Sequence, residues 1–163
     1  MDPVAAAESR SVLVRWMGIE DVNHAGSVHG GVVMKLCDEA AGLAAIRHSR
    51  CRVVTAGMDR MTFNEPVERG DLVTFRASVN AAWRTSMEVG VRVEAERPGS
   101  GVVRHTSTAY LTMVALDEHG KPVPIPPLET EGEAEERRER DAQTRRRNRL
   151  AERAELRRSA ATR

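Results

Sequence analysis

The chain has 163 residues, 40% of them hydrophobic, and a formal net charge of +1. That length sets one domain as the expectation and allows a sizeable core, while so small a net charge argues against whole-domain attraction to nucleic acid or to an anionic membrane. No apolar run approaches the ~20 residues that a membrane span needs. The start, Met1 to Glu8, lacks the basic region and long apolar stretch of a secretory signal, so a cytoplasmic protein is expected. Two cysteines, Cys37 and Cys51, are too few for a disulfide framework.

In chain order, Ser11–Trp16 reads as a short strand and Gly18 to Gly31 as a turn-rich segment. From Gly30 or Gly31 to about Arg47 there is no proline and good helix formers dominate, which predicts a helix. At 100° per residue, Val33, Leu36, Cys37, Ala40, Leu43 and Ala44 fill one broad face, with Cys37 a small core residue. Met34, Ala41, Gly42 and Ala45 lie within about 60° of Asp38, and only Lys35 and Glu39 form a polar strip. A helix apolar nearly all round is expected to be buried, and its small residues suggest close packing on a sheet.

The segments that follow read as strands. Arg52 to Phe63 is rich in β-branched residues; Val73, Phe75, Ala77, Val79 and Ala81 alternate with polar neighbours, as do Met87, Val89, Val91, Val93 and Ala95. Val103 to Met113 continues the pattern less cleanly. Turns fall at Glu68–Asp71, Arg84–Ser86, Pro98–Gly101 and Asp117–Gly120. The reading is an α+β domain at residues 8–128, one long buried helix wrapped by an antiparallel sheet. Residues 129–163, rich in Arg and Glu and without an apolar stripe, read as a charged tail, either a solvated helix or disordered. The Arg clusters at 145–147 and 157–158 raise an anionic partner as a sharper alternative, but adjacent glutamates offset much of their field.

The chemistry concentrates in Asn23-His24-Ala25-Gly26-Ser27-Val28-His29-Gly30-Gly31 and in Asp38, fifteen residues after Asn23. Gly31 lies seven positions before Asp38, on nearly the same line of the helix. The first N–H groups of a helix lack internal partners and carry the positive end of the dipole, so Gly30 and Gly31 offer an unobstructed oxyanion site. Asn23 supplies an amide that can hold a water or a carbonyl. Asp38, if desolvated between Met34 and the small residues near it, can act as general base or nucleophile. The competing bland reading is an Asp favoured by the dipole and an Asn that caps a turn. His24 and His29 with Asp38 match no metal spacing, and Ser27 lacks a nucleophile elbow.

The pattern Asn23-x2-Gly26-x3-Gly30-Gly31-x6-Asp38 resembles the active-site segment of hotdog-fold acyl-CoA thioesterases, most of all the cytosolic acyl-CoA hydrolase branch. Val53-Val54-Thr55, Met61-Thr62-Phe63-x2-Pro66-Val67-x2-Gly70-Asp71, Thr85-Ser86-Met87-Glu88-Val89 and Asp117-x2-Gly120-Lys121-Pro122 extend the likeness over about Val12 to Pro127. The resemblance implies a hotdog fold and hydrolysis of acyl-CoA to free acid and CoA, with no cofactor beyond the CoA of the substrate and no metal. It implies a homodimer, typically assembled as a trimer of dimers, in which Asn23 and Gly31 of one chain face Asp38 of its neighbour. It also implies that Arg84, Thr85 and Ser86 contact CoA, with Lys121 a weaker candidate. His29-Gly30-Gly31 is shared with the phenylacetate-pathway branch, which leaves an aryl-CoA preference open. A non-catalytic acyl-CoA sensing module is the alternative from another class. A dehydratase of the same fold lacks support, since no Asp-x5-His segment occurs.

Overall fold

The computed structural model describes residues 1–161; the last two residues of the predicted tail, Thr162 and Arg163, lie outside the described ones. The elements are β1 (Val4–Ala5), α1 (Ala6–Ser9), β2 (Ser11–Trp16), α2 (Gly30–Ser49), β3 (Arg52–Phe63), β4 (Leu72–Ala82), β5 (Ser86–Glu96), β6 (Val103–Leu116), β7 (Leu128–Glu129) and α3 (Glu133–Ala161). Five strands form one antiparallel sheet in the order β2-β4-β5-β6-β3, and β1 pairs with β7 in a short parallel ladder. This is the hotdog arrangement: α2 lies across the concave face of the sheet.

The alternation in β4 and β5 produces the core. Val73, Phe75, Val79, Met87, Val89, Val91, Val93 and Ala95 all point toward α2 and are buried. The matching face of α2 is built from small residues, with Ala40, Ala41, Ala44, Ala45 and Cys37 fully buried. Their short side chains let the helix axis sit close to the strands, close enough for the Ser11 hydroxyl to donate to the Ala40 carbonyl at 2.9 Å. Arg50 ends the helix in the left-handed conformation (φ 55°), its N–H bonded to the Ile46 carbonyl.

Two expectations need correction. First, α2 is not buried all round. Met34, Leu43 and Ile46 are 41%, 47% and 47% exposed, and Asp38 is exposed among them. The sheet of a single chain covers only the small-residue face, so the apolar residues opposite have no cover within the subunit. Second, the charged tail is a helix, as one of the two readings had it, but only residues 150–161 stand exposed to solvent throughout; the part before them does not. The tail forms α3, which packs on the convex face of the sheet. Ala142 is fully buried there, Trp83 Nε1 donates to Gln143 Oε1 at 3.0 Å, and the Arg146 guanidinium lies 4.4 Å from the Trp83 ring. Arg145 pairs with the buried Glu88, Arg149 with Asp59, and Arg10 with Glu135. Polar heads and aliphatic stems do the docking, which is why no apolar stripe announces it.

Candidate functional site

Residues 18–29 fold into a small hairpin whose residues bond mostly to one another. Asp21 is buried; its carboxylate accepts from the Gly18 N–H at 2.8 Å and its carbonyl from the His29 N–H at 2.8 Å. Asn23 N–H donates to the Ser27 carbonyl, and the Asn23 carbonyl accepts from Gly26, which turns the chain at φ +86°, a conformation that favours glycine. Asn23 Oδ1 accepts from the Ala25 N–H at 2.9 Å. The turn-capping role is therefore real, and it fixes the rotamer so that the amide NH2 is the group left to donate elsewhere.

α2 starts directly after this hairpin. Val32 and Val33 donate to the His29 carbonyl at 3.0 and 3.3 Å, so the N–H groups of Gly30 and Gly31 precede the first helical bonds. A Cβ on Gly30 would stand 3.4 Å from Phe63 Cζ; a Cβ on Gly31 would meet nothing within 4 Å. Within its own subunit, then, Gly31 sits under open space.

Two turns along the helix, Asp38 meets β3. Thr55 Oγ1 donates to Asp38 Oδ1 at 2.5 Å, and Met113 Sδ lies 3.5 Å from the same hydroxyl. Thr55 is the partner of Asp38 that the sequence did not single out: it stands in the Val53-Val54-Thr55 match, but nothing in the periodicity of β3 marks it. The strand is irregular there, with register breaks between Thr55 and Gly57 and between Met58 and Arg60. Neighbouring Cys37 is an inert core thiol, its pKa pushed up to about 12 by burial and, secondarily, by the Asp38 charge.

The Arg84–Ser86 turn joins β4 to β5. Its backbone is tied down by Ile125 N–H to the Arg84 carbonyl (3.0 Å) and Ala115 N–H to the Thr85 carbonyl (3.1 Å), while the Arg84 side chain is exposed and makes no ion pair among the described residues. Met87, the next residue, is paired to Met113 of β6, and Met113 is paired on its other side to Thr55. Two strand spacings of ~4.8 Å put the turn about 10 Å from Thr55, at the same level of the sheet. Lys121 lies farther off, in a turn held by its N–H to Asp117 Oδ1 at 2.8 Å. His24 and His29 are exposed, and among the described residues no three His, Cys, Asp or Glu side chains gather to hold a metal ion.

The structure thus brings Asp38 and Thr55 together and keeps Gly31 apart from them. Seven residues at 1.5 Å rise place the Gly31 N–H about 10 Å from Asp38 along the axis. A tetrahedral carbon needs donor and base within ~3 Å of the reacting atoms, so these two groups of one chain cannot share a carbonyl.

A fold with one helix laid on a five-stranded antiparallel sheet, and a carboxylate held by a threonine on the uncovered face of that helix, defines a hotdog-fold thioesterase scaffold. The chain belongs to the thioesterase superfamily, whose profile matches residues 25–102. It is 36% identical over 139 residues to the cytosolic acyl coenzyme A thioester hydrolase of Rattus norvegicus, an alignment that spans 84% of this chain and 36% of that protein. The chain therefore spans about a third of the length of that mammalian relative. A hexameric acyl-CoA thioesterase superposes with a TM-score of 0.91 at 37% identity, over 94% of this chain and 99% of the other. An acyl-CoA hydrolase of Staphylococcus aureus, solved with butyryl coenzyme A and coenzyme A, superposes at 0.89 with 31% identity over 98% and 97% of the two chains. That enzyme has also been solved with alanine replacing an asparagine, an aspartate or a threonine, in that order along its chain and separated by fifteen and seventeen residues. Among the described residues of the present chain, no helix is long and apolar enough to cross a membrane.

Proposed function

We propose that this chain hydrolyses acyl-CoA thioesters to a free carboxylic acid and CoA, at a site completed by a second copy of itself. The observation that carries the reading is the Asp38–Thr55 pair on the uncovered face of α2. Asn23, Asp38 and Thr55 have the same fifteen- and seventeen-residue separations as the three positions replaced in the Staphylococcus aureus hydrolase.

In this reading Thr55 orients the carboxylate by its hydroxyl and leaves the other oxygen of Asp38 for chemistry. Asp38 takes a proton from a water that attacks the thioester carbon, or attacks that carbon itself and is then released by water. The C=O bond opens to an oxyanion, which the Gly31 N–H of the partner receives, while the partner's Asn23 amide holds the water or the acyl group. The C–S bond then breaks, and CoA leaves as a thiolate that regains the proton. The about 10 Å between Gly31 and Asp38 in one chain supports division of the site between subunits. So do the exposed Met34, Leu43 and Ile46, which a partner laid on α2 would cover and which would then desolvate Asp38. Arg84, exposed and without an ion pair among the described residues, suits the phosphates of CoA, and the Thr85–Ser86 turn lies beside it. The assembly is read as a dimer, built up to a hexamer as a trimer of dimers, working in the cytoplasm and needing no metal or cofactor apart from the CoA of its substrate.

The test is thiol release from a panel of straight-chain acyl-CoAs, acetyl to palmitoyl, and from phenylacetyl-CoA. Turnover that Asp38→Ala abolishes while the oligomer persists supports the proposal; the aryl substrate separates the two branch preferences. Unchanged turnover in Asp38→Ala defeats the assignment. Saturable acyl-CoA binding with no hydrolysis by the unmodified chain favours a sensing module instead.

A further inference from the structure

On the convex side of the sheet, opposite α2, the first half of α3 and strands β2, β4, β5 and β6 line an open cleft of about 580 Å³. It takes no part in the thioester chemistry, because the core-facing residues of β4 and β5 separate it from Asp38 and Thr55. Arg10, Arg76, Arg92, Arg137, Arg138 and Arg145 all contribute to its walls.

The charges there do not cancel. Glu94 is shared by Arg76 and Arg92, at 3.2 and 2.8 Å. On the facing wall, Glu135 is shared by Arg10 and Arg138, at 2.8 and 3.6 Å. Arg145 is matched by Glu88 at 2.6 Å. Asp141 lines the cleft as a fourth acid, and Arg137, exposed, has no ion pair among the described residues. Six guanidiniums therefore face four carboxylates, an excess of two positive charges in a concave site. Each guanidinium has five N–H donors, and a carboxylate shared between two of them leaves most unspent. Such forks suit phosphate oxygens, and gathering them around one concavity adds their fields there. Ser78 and Thr108 add hydroxyl groups to the lining. The volume falls within the usual range for small-molecule sites, about 300–1,000 Å³.

We propose that this cleft binds a small anion carrying a diphosphate group, in a site distinct from the thioester-cleaving one and not dependent on its assignment. The diphosphate could belong to a free phosphorylated metabolite or to CoA itself; the chemistry recognised is the same.

Calorimetric titration of the full chain with inorganic pyrophosphate, at fixed ionic strength, tests it. The expected result is one saturable site per chain whose affinity falls as salt rises, is lowered at least tenfold by Arg137→Gln and by Arg92→Gln, and is retained in Arg84→Ala and Asp38→Ala. Arg137 has no ion pair to lose among the described residues, so Arg137→Gln, which also avoids setting a new acid one turn from Glu133 and Asp141, should weaken binding while unfolding at the parent's temperature, which excludes a folding artefact. Competition by CoA in the Arg84→Ala chain assigns the diphosphate to CoA; pyrophosphate binding without competition assigns it to a free diphosphate. Absence of saturable pyrophosphate binding, or binding that neither arginine variant weakens, overturns the proposal. Loss of pyrophosphate binding in Arg84→Ala alone also overturns it, by moving the anion to the β4–β5 turn.

Discussion

Arg145→Ala should destabilise the protein far more than the removal of a surface charge. Glu88 is fully buried on the convex face of the sheet, and Arg145 meets it with two bonds, Nη2 to Oε1 at 2.6 Å and Nε to Oε2 at 3.0 Å. Asn80 Nδ2 donates to Glu88 Oε1 at 3.1 Å, and the Arg145 guanidinium stacks 3.7 Å from the Tyr110 ring. An exposed ion pair contributes about 0–1 kcal/mol, whereas removing one partner of a buried pair costs ~3–5 kcal/mol because a carboxylate is left without its counter-charge. Water can reach part of the vacated space, since the Arg145 side chain is 23% exposed, which points to the lower end, about 3 kcal/mol. For a chain of this length that is a fall of roughly 6–12 °C in Tm at fixed protein concentration. Replacing both partners, Arg145→Met with Glu88→Leu, removes the uncompensated charge and should recover most of the loss, less about 1 kcal/mol for the stranded Asn80 amide. Thermal unfolding followed by circular dichroism reads the Tm, and hydrogen exchange of the α3 amides reads undocking of the helix directly. A shift below about 2 °C for Arg145→Ala, under the ~1 kcal/mol expected of an exposed pair, would refute the claim that this pair clamps α3 to the sheet.

The other predictions concern pH and the site. His48 is fully buried; Nε2 bonds to the Pro126 carbonyl at 2.9 Å, and Nδ1 has no partner among the described residues. Its pKa is lowered from 6.5, mainly by burial, against smaller raising effects from the Pro126 carbonyl and Glu8. The folded state therefore binds the proton less readily than the unfolded chain. Stability from this group is complete above about pH 6.5 and is lost as pH falls below that value, and His48→Gln should flatten the fall in Tm between about pH 7 and pH 5. Thr55→Val should leave the unfolding free energy within about 0.5 kcal/mol of the parent, because Thr55 is exposed, yet lower kcat for acyl-CoA hydrolysis roughly 10- to 100-fold through loss of one charge-assisted hydrogen bond to Asp38. Steady-state thiol release separates kcat from KM, and an unchanged kcat removes Thr55 from the site.

Much of this architecture was legible in the sequence. Strict alternation in Val73–Ala81 and Met87–Ala95 located two central strands, and the small residues of α2 foretold its close approach to them. What escaped was set by groups that periodicity cannot see. Val54 and Thr55 sit on an edge strand whose bulges break the period of two, so the pairing of Thr55 with Asp38 appears only once β3 is laid beside α2. α3 docks through Arg145, Arg149 and Gln143 rather than a stripe of leucines, and a composition rich in Arg and Glu reads as solvated until Glu88 and Asp59 are found facing it. The burial expected for α2 all round failed for the opposite reason: Met34, Leu43 and Ile46 are apolar enough for a core, but a single chain has nothing to lay on them.

The proposal rests most heavily on the division of the site between two chains, and a subunit-mixing measurement tests it directly. Asp38→Ala and Asn23→Ala chains, each inactive alone, are unfolded together, refolded at equal concentration and assayed for thiol release. If Asn23 of one chain serves Asp38 of its partner, half of the two-fold symmetric dimers are mixed and each carries one intact site, so activity returns to about a quarter of the unmodified level. If both residues serve the same chain's site, every site in every dimer lacks one of them, and the mixture stays as inactive as its parts.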